Sequence, residues 1–144
     1  MTDPIRLLLA DDQQMVRAGF RLVLDAQPDM SVVGEANDGA EALQLVDELA
    51  PDVVLMDIRM PVLDGLGATE KIMTSHPEAK ILVLTTFDLD EYVHSALRAG
   101  ASGFMLKDAG PTELLAAIRA VRDGDSVVAP SATRRLIERF IPRQ

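Results

Sequence analysis

The sequence predicts an α/β domain: a parallel five-stranded sheet with helices on both faces. Three observations lead there. Apolar strand-like runs alternate five times with amphipathic helical runs. Three of the strand-like runs are almost continuous Leu, Val and Ile, as in strands covered on both faces. Strict β/α alternation calls for right-handed crossovers, which make successive strands parallel.

The elements follow in order. The first strand is about Ile5–Ala10, and Val16, Phe20, Val23 and Leu24 then keep helical spacing. The second strand, about Ser31–Glu35, is short and less apolar, which places it at a sheet edge. Asn37-Asp38-Gly39 starts the second helix, with Leu43, Val46 and Ala50 as its stripe and Pro51 as its stop. The third strand is Val53–Asp57, and the third helix runs over Gly65–Ser75 until Pro77. The fourth strand is about Lys80–Thr85. Asp88 caps the fourth helix, which carries Val93, Ala96 and Leu97 and ends at Gly100. The fifth strand is about Gly103–Lys107. Pro111 suits the first turn of the last helix, with Leu114, Leu115, Ile118 and Val121 inward and Gly124 near its end. Five such strands suggest the flavodoxin-like order 2-1-3-4-5, in which ligands bind at the carboxyl ends of strands 1 and 3. After Asp123-Gly124-Asp125 the pattern changes. Pro130-Ser131 reads as a turn and cap before a short helix with Leu136, Ile137 and Phe140. Residues 1–123 are therefore expected to be the domain and 124–144 a linker.

The 144 residues suffice for one domain with a real core, and 48% are apolar. Aromatics are 3% with no Trp, which leaves no stacking platform for single-stranded nucleic acid. Without Cys there are neither disulfides nor thiolate metal sites, and a reducing, cytoplasmic compartment fits. No run approaches a membrane span, and the N-terminus lacks a signal-peptide pattern. The net charge of -9 is uneven: residues 1–125 carry -12 and residues 126–144 carry +3. An acidic body does not bind DNA by itself, because phosphate contacts need a basic face.

The strand ends carry the chemistry. Asp57 ends the run Val53-Val54-Leu55-Met56, and Asp11-Asp12 follow Leu7-Leu8-Leu9-Ala10. Like charges repel, and an unpaired buried carboxylate is costly, so such a cluster needs a cation to hold. Mg2+ takes oxygen ligands and keeps several waters, which suits Asp12 and Asp57 as direct ligands and Asp11 directly or through water. Asp57 is the candidate nucleophile, able to form an acyl phosphate. Lys107 supplies a fixed positive charge to the phosphoryl group, and Thr85 a hydroxyl. Each residue alone also has a plain explanation. Asp11-Asp12 can begin a helix, Asp57 can open a turn, Lys107 can be solvated and Thr85 is a good strand residue. Four such signals at one end of one sheet make the plain explanations jointly weak.

These residues resemble a known pattern. Asp11-Asp12, then Asp57-Ile58-Arg59-Met60-Pro61 with Asp64-Gly65, then Thr85, then Gly103-Phe104-Met105-Leu106-Lys107 are similar to the receiver domain of two-component response regulators. Leu84-Thr85-Thr86-Phe87-Asp88 and Ala99-Gly100-Ala101-Ser102-Gly103-Phe104 with Lys107-Asp108 resemble the subfamily whose receivers precede a LuxR-type (NarL/FixJ) helix-turn-helix. The resemblance implies that Asp57 is phosphorylated from a sensor histidine kinase. It also implies that Asp11, Asp12, Asp57 and the Arg59 backbone carbonyl hold Mg2+. Thr85 and Phe104 act as the switch pair, and Lys107 is the family lysine. On the same basis activation reshapes the helix 4–strand 5–helix 5 surface, the chain dimerises, and residues 124–144 lead to a helix-turn-helix DNA-binding domain beyond this sequence. The protein would then be a cytoplasmic phosphoprotein of a phosphorelay and not an enzyme.

Two departures matter. Asp108 follows Lys107 where many receivers have Pro, and the switch aromatic is Phe without a phenolic hydroxyl. The resemblance places bulky Arg59 and Phe87 beside the path of attacking water, which implies slow self-dephosphorylation that small replacements should accelerate. An aspartate-nucleophile phosphatase of the haloacid-dehalogenase type would want a carboxylate where Arg59 stands. A flavodoxin-like electron carrier would want a Ser/Thr/Gly-rich loop where Asp11-Asp12-Gln13-Gln14 stands. An atypical receiver that dimerises without phosphorylation keeps the fold, but the complete acidic set speaks against it.

Overall fold

The computed structural model describes residues 3–86, 90–125 and 127–128. Phe87, Asp88 and the short helix expected after Pro130 lie outside the described residues. The elements run β1 (Ile5–Ala10), α1 (Gln14–Asp25), β2 (Met30–Ala36), α2 (Gly39–Leu49), β3 (Val53–Asp57) and α3 (Gly65–Ser75). They continue with β4 (Ile81–Thr85), α4 (Asp90–Arg98), β5 (Gly103–Leu106), α5 (Pro111–Arg122) and β6 (Val127–Val128). Neighbouring strands are parallel, in the order β2-β1-β3-β4-β5-β6. The predicted order 2-1-3-4-5 is therefore present, with β2 at one edge. At the other edge, Val127 and Val128 pair with Gly103 and Phe104. Two residues are too short to show a period, so the sequence pattern did not predict this strand.

All ten residues of β3 and β4 are buried. Strand alternation sends their side chains into two separate cores. Leu8, Ala10, Val54, Met56, Ile81, Val83 and Phe104 meet Val46, Ala68, Ile72 and Ala96 of α2, α3 and α4. Leu7, Leu9, Val53, Leu55, Leu82, Leu84 and Met105 meet Leu24 of α1 and Leu114, Ile118 and Val121 of α5. Asp38 and Asp64 cap α2 and α3 by accepting from Glu41 N and Gly67 N, each at 2.8 Å.

Some local expectations need correction. Ala50 is exposed and ends α2 in a left-handed conformation at φ 47°. The buried stripe of α2 is Gly39, Ala42 and Val46, with Leu43 and Leu45 packed at its margin. In α5 the fully covered positions are Leu114, Ala117, Ile118 and Val121, and Leu115 is only half-buried. β2 extends one residue further at each end, β4 begins at Ile81 rather than Lys80, and β5 ends at Leu106. Lys107 sits one residue past its strand, yet its N–H still donates to the Thr85 carbonyl at 2.8 Å.

Candidate functional site

Register brings the strand ends together. Ala10 pairs with Met56, Asp57 with Leu84, and Thr85 with Leu106. Asp11, Asp57, Thr85 and Lys107 therefore emerge along one line at the carboxyl edge of the sheet. Alternation divides them. Asp11, Asp57 and Lys107 continue the rows that face α1 and α5. Thr85 continues the Ile81–Val83 row, which faces the other core together with Phe104.

Asp11, Asp12 and Asp57 each offer a carboxylate oxygen within 4.8 Å of the others. Asp11 and Asp57 are 4% and 7% exposed, whereas Asp12 faces solvent. The Lys107 ammonium lies 2.6 Å from Asp11 Oδ2 and 3.3 Å from Asp57 Oδ1. One lysine among three carboxylates leaves a net double negative charge when all are ionised. Burial pushes the Asp57 carboxyl up to about 6 from 3.8. Lys107 pulls the other way, and the charges of Asp11 and Asp12 add to the rise. The oxygen donors, their spacing and their uncompensated charge fit a hard divalent cation.

The loop from β3 to α3 is held by close backbone packing. Gly65 N–H donates to the Ile58 carbonyl at 2.8 Å, and Thr69 Oγ1 donates to the Gly65 carbonyl at 2.7 Å. A Cβ on Gly65 would lie 1.9 Å from the Asp57 carbonyl oxygen. Gly39 makes a similar approach: its N–H donates to the Leu63 carbonyl at 2.9 Å, and a Cβ there would lie 2.2 Å from that oxygen. Between these anchors Val62 takes φ 70°, and Leu63 N–H donates to the Pro61 carbonyl at 2.7 Å. A cleft of about 480 Å³ opens beside the carboxylates, lined by Asp12, Ile58, Arg59, Met60, Pro61, Asp64 and Leu66. The Arg59 side chain is exposed at its rim.

Sequence patterns did not single out two members of this surrounding, Arg17 and Glu35. Arg17 is buried on α1 and pairs with Glu35 of β2 at 3.1 Å. Its only trace in the sequence is an Arg17/Arg21 repeat one helical turn apart on α1.

The family profile described as "Response regulator receiver domain" matches residues 7–119. The chain belongs to the response regulator receiver domain family. The receiver is 48% identical over 143 residues to "Uncharacterized transcriptional regulatory protein YxjL" of Bacillus subtilis, covering 99% of this chain and 66% of that protein. It is 48% identical over 138 residues to "Oxygen regulatory protein NreC" of Staphylococcus aureus, covering 95% of this chain and 64% of that protein. The receiver thus spans about two thirds of the length of these curated relatives. A crystal structure of a LuxR-family two-component response regulator from Aurantimonas sp. SI85-9A1 superposes with a TM-score of 0.91. That match covers 97% of this chain and 100% of the other at 34% identity. Its homologues are two-component regulators of the LuxR/NarL type, which are signalling proteins. Among the described residues no helix is long and apolar enough to cross a membrane.

Proposed function

We propose that Asp57 accepts a phosphoryl group from a phosphohistidine on a sensor histidine kinase, with Mg2+ as the cofactor. The observation that carries this proposal is the Lys107 ammonium bridging Asp11 and Asp57 within a cluster of three carboxylates. Asp11, Asp12, Asp57 and the Arg59 backbone carbonyl would hold the ion. When bound, it offsets negative charge on the phosphoryl oxygens.

The chain's own residues do the rest. An Asp57 carboxylate oxygen attacks phosphorus, the P–N bond breaks, and its electron pair returns to the departing imidazole. The product is an aspartyl phosphate. Transfer of this kind depends on positioning and electrostatics more than on a strong base. Lys107, as a point charge, follows the group through transfer by contact with a phosphoryl oxygen. The phosphoryl group adds roughly -1.5 to -2 charges beside Thr85, whose hydroxyl donates to it. Thr85 and Phe104 share one face of neighbouring strands, so movement of Thr85 opens space into which Phe104 turns. The α4–β5–α5 surface then shifts between two populations.

In this reading the change promotes homodimerisation and controls DNA binding by an output domain outside this chain, in the cytoplasm. The relatives' descriptions as regulatory proteins support that reading. The receiver takes up one phosphoryl group and loses it slowly, without turnover. Residues 1–123 would form the receiver, and 124–144, which begin by laying β6 along the sheet edge beside β5, the connector to the output domain.

Intact mass after incubation with a small acyl phosphate tests this, with and without Mg2+, on wild type and Asp57→Asn. The expected result is one Mg2+-dependent phosphoryl adduct, absent in the variant. No adduct under any condition would replace this proposal with phosphorylation-independent dimerisation.

A further inference from the structure

An arginine on an amphipathic helix ordinarily extends to water. Arg17 does not: it is 7% exposed. Its Nε donates to Glu35 Oε1 at 3.1 Å, and its Nη1 donates to the backbone carbonyl of Asp11. It also lines a small, partly open cavity together with Asp11, Asp57, Leu9, Leu55 and Leu84. Burying a guanidinium is costly unless its partners are in place. Glu35 is correspondingly braced a second time, by Arg21 Nη1 at 2.6 Å. Arg21 in turn bonds Asp25 at 3.2 Å, and Asp25 accepts from Val32 N–H of β2 at 3.2 Å.

Asp11 is bonded on every side. Its N–H donates to the Ala36 carbonyl at 3.0 Å, its Oδ1 accepts from Gln13 N–H at 2.8 Å, and its Oδ2 accepts from Lys107 at 2.6 Å. Arg17 supplies the remaining contact, at the carbonyl. That carbonyl belongs to the peptide joining Asp11 to Asp12. A planar peptide held at its oxygen fixes the direction from which both residues leave it.

We propose that Arg17, braced by Glu35, is a positioning residue for the carboxylate site: by holding the Asp11–Asp12 peptide it aims both carboxylates toward Asp57. This rests on the reading of Asp11, Asp12 and Asp57 as a cation and phosphoryl site. Groups that orient metal ligands typically matter about 10- to 100-fold in affinity.

The test is calorimetric Mg2+ titration of the whole chain as wild type, Arg17→Met, Arg17→Lys and Glu35→Gln, with melting temperatures in EDTA alongside. Arg17→Met is expected to weaken Mg2+ binding about 10-fold or more and to move the Asp12 and Gln13 amide resonances of the metal-free protein. Arg17→Lys keeps the charge but cannot hold both acceptors, so it recovers only part of the loss. Glu35→Gln, which removes the brace and leaves Arg17 in place, weakens binding in the same direction, by less than Arg17→Met but by more than about two-fold. It decides the matter if Arg17→Met does not fold. Lower melting temperatures with Mg2+ affinity within about two-fold of wild type would mean that Arg17 only pins α1 to the sheet, and would overturn the inference. A wild-type protein that takes up no Mg2+ would instead overturn the cation-site reading, and this inference with it.

Discussion

At the scale of single residues, Asp57 is a group whose ionisation the fold resists. Its folded-state value is raised to about 6 from 3.8, first by burial and then by the carboxylates of Asp11 and Asp12, against the pull of Lys107. The ionised form is therefore the costly one in the metal-free protein. The penalty is absent below the unfolded value, grows between 3.8 and about 6, and is complete above that. Asp57→Asn removes it while keeping the shape of the side chain. In EDTA at pH 7.5 the variant is expected to be more stable than wild type, by on the order of 2 kcal/mol. The advantage should vanish near pH 4. Urea denaturation of both proteins at several pH values measures this. A constant difference across the range, or a variant less stable at pH 7.5, would show that the fold does not strain the carboxylate. The sequence revealed Asp57 because an acid directly after four apolar strand residues is conspicuous. It concealed Arg17 because an arginine between the apolar positions Val16 and Phe20 of a helix looks solvated, and only the strand-to-helix packing shows Glu35 waiting for it.

At the scale of elements, the β3–α3 loop aims the acceptor, and its glycines are fixed by what crosses them. A Cβ on Gly65 would meet the Asp57 carbonyl oxygen at 1.9 Å, a backbone atom that cannot move without moving the site. Gly65→Ala is expected to cost roughly 3 kcal/mol and to depress phosphoryl uptake beyond what lost stability explains. Gly19 provides the contrast, since it lies within α1 with nothing within 4 Å of an added Cβ. Gly19→Ala should stabilise the protein by about 1 kcal/mol, through helix propensity alone. Thermal melts of the two alanine variants should therefore move in opposite directions. Equal shifts would discredit the close approach at Gly65. In the same loop Val62, a β-branched residue at φ 70°, is 84% exposed, so no burial offsets its strain. Val62→Asn should raise stability by about 1 kcal/mol, because asparagine tolerates the left-handed region. A loss on that substitution would mean that Val62 contributes a contact outweighing its backbone cost. None of this was legible in the sequence. Asp64-Gly65 showed a helix start there, but which backbone passes over a glycine depends on how the loops cross.

At the scale of the whole molecule, the sheet order was legible because β1, β3 and β4 are nearly uninterrupted runs of apolar residues. Strands of that kind belong in the middle of a parallel sheet, and the acidic termini of the neighbouring β1 and β3 then have to meet. Meeting there, they concentrate part of the chain's net charge of -9 at one edge. Two effects of added salt can consequently be separated. Potassium screens repulsion among all exposed charges, and its benefit depends only on ionic strength. Magnesium does the same but is also expected to bind the Asp11–Asp12–Asp57 cluster, and binding to the folded state alone adds RT ln(1 + [Mg2+]/Kd). At about 100 times Kd this is about 2.7 kcal/mol beyond screening. Wild type should therefore melt several degrees higher in MgCl2 than in KCl of matched ionic strength. Asp57→Asn should lose most of that difference, since it removes one of the three carboxylates, while keeping the response to KCl. If the two salts stabilise wild type equally, the acidic edge responds only to screening and the cluster holds no ion. If Asp57→Asn keeps the full magnesium increment, the ion sits on Asp11 and Asp12 and Asp57 is not one of its ligands.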